Sequence, residues 1–98
     1  MKGSTKQIEW ANQIQKRYQA ARGVIEAKAS ALPEDNKVAI MTAVSKIDRH
    51  ILENEDAGDI IARGGSSYLD SDDLNITTKA IMDAIRSIAS GQETVLTA

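Results

Sequence analysis

The chain reads as an all-α protein, a small helical bundle with two long antiparallel helices, a short third helix and a C-terminal helix. Three observations predict this. Residues 3–32 carry one unbroken helical period, a second period follows Pro33, and no stretch shows the alternating apolar pattern of a strand.

The first helix organises the rest. Ser4-Thr5-Lys6-Gln7 fits a capping box, in which the Ser4 hydroxyl serves the first turn and Gln7 reaches back. At about 100° per residue, Trp10, Ala11, Ile14, Tyr18, Ala21, Ile25, Ala29 and Leu32 fall on one arc, with Ile8 and Val24 at its edges. Gly23 lies on the wet face. Pro33 ends the helix, because it disfavours α geometry in the residue before it.

Pro33 suits the first position of the second helix, and Glu34 and Asp35 complement its dipole. Ile40, Ala43, Val44, Ile47 and Ile51 form its main stripe, and Val38, Met41 and Leu52 a shorter one beside it. The short connection makes the two helices antiparallel neighbours. Asn54 is read as the cap of a third helix over residues 55–63, stopped by Gly64-Gly65. Residues 66–73 read as a loop pinned by Tyr68 and Leu69. Thr77 is read as the next N-cap, with Ile76 and Ile81 at the spacing of a hydrophobic staple. The predicted long helices are thus 5–30, 35–53 and 77–90. All 98 residues belong to one domain, with 1–4 and 92–98 as loose ends, although Val95 and Leu96 have the character to dock.

Composition narrows the function classes. The chain is 42% apolar, with one Trp, two Tyr and no Phe, so its core must be mostly aliphatic. Without cysteine it holds no disulfide or thiolate site, which suits the cytoplasm. No apolar run approaches the ~20 residues of a membrane span, and no secretory signal is expected. The net charge of −2 is uneven: residues 1–28 are basic and residues 53–73 acidic.

His50 is the single histidine; with no second histidine and no thiol it completes no usual zinc set. The tract Asp70-Ser71-Asp72-Asp73 lacks the glycine and glutamate of a calcium loop, and Glu53-Asn54-Glu55-Asp56 reads as capping. Gly64-Gly65-Ser66-Ser67 lacks the lysine of a phosphate loop. No metal, cofactor or catalytic residue is therefore expected, and the chain is read as no enzyme. Lys6, Lys16, Arg17, Arg22 and Lys28 do not line one face, which argues against nucleic acid.

Trp10 is the most suggestive side chain. It lies on the margin of the apolar arc, with Arg17 and Lys28 on the same border, a pairing typical of interface hot spots. The competing reading is that Trp10 is simply the largest core residue. The expected partner-binding residues are Trp10, Arg17, Tyr18, Arg22 and Met41. The leading function is a small protein-binding module. The alternatives are a nucleic-acid-binding accessory factor using the first helix, and a structural homo-oligomer, a twofold dimer whose seam takes in the Val38, Met41 and Leu52 stripe with Trp10 or Tyr18 near it.

The tract Gly3-Ser4-Thr5-Lys6-Gln7-Ile8-Glu9-Trp10-Ala11-Asn12-Gln13-Ile14 resembles a pattern, G-S/T-x-K-Q-I-x-W-A-x-x-I, in small uncharacterised bacterial and bacteriophage or mobile-element proteins. Residues 56–64 loosely resemble a second such tract without its aromatic positions. The resemblance implies no catalytic residue; it implies a phage-borne or accessory protein, and with it an inhibitor or regulator of a host complex.

Overall fold

The computed structural model describes residues 1–65 and 72–91. Four α-helices follow in order: α1, Thr5–Ala29; α2, Glu34–Ile51; α3, Ala57–Ile60; and α4, Leu74–Ala89. One π-helical turn, Ile61–Gly65, continues α3. The described residues contain no strand, and their one β-bridge joins Lys2 to Asp56. No helix among them is long and apolar enough to cross a membrane.

α1 begins where its capping chemistry requires. The Ser4 hydroxyl accepts from the Gln7 amide at 3.2 Å, and the Gln7 side chain accepts from the Ser4 amide at 2.9 Å. Two amides that the helix itself cannot serve are thereby satisfied. At the far end the chain tightens, with Leu32 N–H donating to Ala29 O at 3.0 Å. Pro33 is the N-cap of α2 rather than its first residue, because its ψ of 151° is extended. Glu34 and Asp35 occupy the first turn of α2, and Arg49 and His50 the last, each matching the helix dipole.

α1 packs against every other element. Its fully buried Ile14, Tyr18 and Ile25 meet Val44, Ile47 and Ile51 of α2, Ile60 of α3, and Ile81 and Ile85 of α4. Ala11, Ala21, Ala43, Ala57 and Ala84 fill the gaps between them. Small side chains let the helix backbones approach, and a buried isoleucine contributes about 1.5–3 kcal/mol. The arc read from the sequence is the buried face, except at its ends: Trp10 is 39% exposed and Leu32 42%.

Three boundaries differ from the sequence reading. The third helix is capped by Asp56, whose carboxylate accepts from Asp59 N–H, and not by Asn54. Asn54 instead holds the corner, donating to His50 O at 3.0 Å and to Asp59 Oδ2 at 2.6 Å. The last helix starts at Leu74, capped by Asp73, and not at Thr77. Thr77 is buried inside α4, and its hydroxyl donates to Leu74 O at 3.1 Å. The opening residues are not a loose end: Lys2 N–H donates to Glu55 O at 2.6 Å, and Lys2 O accepts from Ala57 N–H at 2.8 Å. The readings for Tyr68, Leu69, Val95, Leu96 and the 92–98 tail lie outside the described residues.

Candidate functional site

The five residues singled out from the sequence do not form one surface. Tyr18 is fully buried, so it cannot present a face to a partner or a seam. Its hydroxyl donates to Asp48 Oδ1 at 2.5 Å. Arg22 binds the same carboxylate with Nε at 3.0 Å and Nη2 at 3.1 Å, and reaches Glu26 at 3.2 Å. Tyr18 and Arg22 are one turn apart on α1 and close on a single acid of α2, so they clamp the two helices together. Burial, then the Asp48 carboxylate, push the Tyr18 phenol well above its usual range, and Asp48 raises the Arg22 guanidinium. These two residues are structural. The sequence signal for the clamp was available in Asp48, an acid set against Val44, Ile47 and Ile51 on the apolar side of α2.

Arg17 binds Asp72, just before α4, through Nη2 at 2.8 Å. Met41 is half-buried against the core, as is Leu52, so the shorter stripe of α2 is partly absorbed within the chain. Val38, in the same stripe, is 54% exposed. At the α2–α3 corner, Asp59 receives Arg63 Nε at 3.0 Å and the Asn54 amide. Arg63 first, then Asn54, hold the Asp59 carboxyl below its usual range, and nearby His50 adds to this. Among the described residues no three histidine or acidic side chains converge on a metal position.

The feature that remains is a groove of about 400 Å³ between α1 and α4. Val24 and Lys28, one turn apart, form its α1 wall. Leu74, Thr78 and Met82 form an i, i+4, i+8 line on α4, with Lys79, Asp83 and Arg86 along the outer rim. Leu74 is 43% exposed, although leucine is among the residues most often buried. On α1, Trp10, Arg17, Val24 and Lys28 share one line along the helix, since 7, 14 and 18 residues bring the helical rotation back to nearly the same angle, at ~100° per residue. The groove therefore continues the border on which Trp10 and Arg17 lie. The sequence reading misses it because it starts the last helix at Thr77, which leaves Leu74 and Asn75 outside that helix.

The chain matches no family model, no curated protein and no solved structure.

Proposed function

We infer that the protein is a small non-enzymatic protein-binding module that works by occupying or bridging a partner through the α1–α4 groove. One observation carries this reading: solvent-exposed Leu74, with Val24 and Met82, lines an open channel edged by Lys28, Lys79 and Arg86. An apolar floor within a polar rim is the anatomy of a protein interface. Other charged side chains hold helices together or stitch a turn, as in the Tyr18–Arg22–Asp48 clamp and the Asp59–Arg63 pair. The opening tract's resemblance to phage and mobile-element proteins supports a role as an inhibitor or regulator of a host complex.

The nucleic-acid alternative loses support from the same geometry. Arg17 and Arg22, two of its five cations, are spent on Asp72 and Asp48. The test is affinity capture from bacterial lysate on the wild-type chain and on Leu74→Ser. A protein retained in stoichiometric amount by the first and not by the second supports the reading. No specific protein on either, or equal retention on both, overturns the assignment to this groove.

A further inference from the structure

Resting on that reading, we propose that the occupant of the α1–α4 groove is an acidic amphipathic helix of a partner protein. Its apolar side chains seat on Val24, Leu74 and Met82, and its carboxylates meet Lys28, Lys79 and Arg86.

Charge complementarity argues for the acid. The groove is edged by three cations and one carboxylate, Asp83. Among the described residues Lys28 and Lys79 form no ion pair. Arg86 meets Asp83 only at 3.5 Å, with side chains 75% and 53% exposed, so an incoming carboxylate competes with a weak, hydrated contact. The chain as a whole carries −2, so the cationic rim is a local feature and not a consequence of net charge.

Shape and chemistry argue for a helix. The floor is the line of Leu74, Thr78 and Met82 running along α4, apolar at both ends, and no aromatic side chain lines the groove to stack a base. A helix laid in such a channel presents anchors at i, i+3 or i+4 and i+7, and a flexible methionine adapts to them. About 400 Å³ accommodates only a few side chains, which fits two or three anchors rather than a whole domain.

The probe is a synthetic, labelled amphipathic helix of about 16 residues, long enough to hold helical structure. It carries leucine anchors on one face and glutamate beside them, with matched glutamine and lysine versions. Fluorescence anisotropy reads affinity and amide chemical shifts read location. The glutamate peptide binds at least about tenfold tighter than the glutamine peptide, and the lysine peptide does not bind. Shifts centre on Val24, Leu74 and Met82. The double variant Lys79→Glu/Arg86→Glu, at exposed positions, keeps its helical spectrum and loses at least about tenfold in affinity. Equal binding of the glutamine peptide overturns the acidic requirement while leaving the binding-module reading intact. No binding by any peptide, or shifts away from the groove, overturns the occupant. So does self-association of the free chain that the double variant abolishes, or a single-stranded oligonucleotide giving the same shifts more strongly than the peptide.

Discussion

Asp48 is the residue on which the α1–α2 contact turns. Its carboxylate takes the Tyr18 hydroxyl and the Arg22 guanidinium at once, with only 17% of its side chain exposed. Asp48→Ala leaves a buried phenol and a partly buried cation without their acceptor, and the expected loss is about 1–3 kcal/mol by urea unfolding. Tyr18→Phe keeps the ring and removes one donor, so the loss is nearer ~1 kcal/mol. The phenol also makes stability depend on pH. Because burial and Asp48 raise it in the folded chain, the folded state favours the neutral phenol. Its contribution is complete below about pH 10, the unfolded value, and is lost as pH rises beyond that. Alkaline unfolding followed by circular dichroism should therefore shift toward higher pH in Tyr18→Phe relative to the acid-independent loss measured at pH 7.

At the scale of elements, the ends of the helices test whether caps or packing set them. Ser4→Ala should cost about 0.5–2 kcal/mol, since it removes half of a reciprocal cap. Asp73→Ala should cost a similar amount, whereas Thr77→Val, which keeps the buried volume, should cost less than ~1 kcal/mol. The reverse order would return the start of α4 to Thr77. The long helices were legible because their signals agree: period, cap and proline coincide at Ser4 and Pro33. The start of α4 was not, because two plausible caps stand within one turn and only burial of Thr77 decides between them. The π-helical turn was not legible either, since Ile61–Gly65 carries no residue pattern that separates it from α-helix. Of the candidate site, the α1 border with Lys28 was visible in the helical period; its α4 wall was hidden by the misplaced start.

At the scale of the molecule, α1 gives the bundle its long axis: the described Cα atoms span 43 × 25 × 20 Å, and α1 has 25 residues. The other described elements pack along that rod, which is why a helix well beyond the usual 11–12 residues has most of its apolar arc covered by its own chain. The shorter stripe of α2 divides accordingly. Met41→Glu, which drives a charge against the core, should cost at least about 2 kcal/mol, while Val38→Glu should lie within about 0.5 kcal/mol of wild type. Thermal melting of both variants checks this. Equal losses would mean that Val38 is covered by something other than the described chain.

The bridge between Lys2 and the residues flanking Asp56 has a consequence for the order of folding. It ties together positions about 55 residues apart, and closing a loop of that size costs roughly 3.5 kcal/mol of chain entropy before any constant is added. Its two backbone bonds contribute only about 0.5–1.5 kcal/mol each, so they cannot draw the ends together alone. They close after α1 and α2 have docked and carried the ends into reach. Gly3, at φ 144° and with Ala57 Cβ only 3.0 Å from where a Cβ would stand, gives the chain the conformation this late step needs. The latch is then last to shut and first to open. In hydrogen exchange the Lys2 and Ala57 amides should report a low-energy local opening while those of Ile14 and Ile47 follow global unfolding, and Gly3→Ala should accelerate the first pair alone.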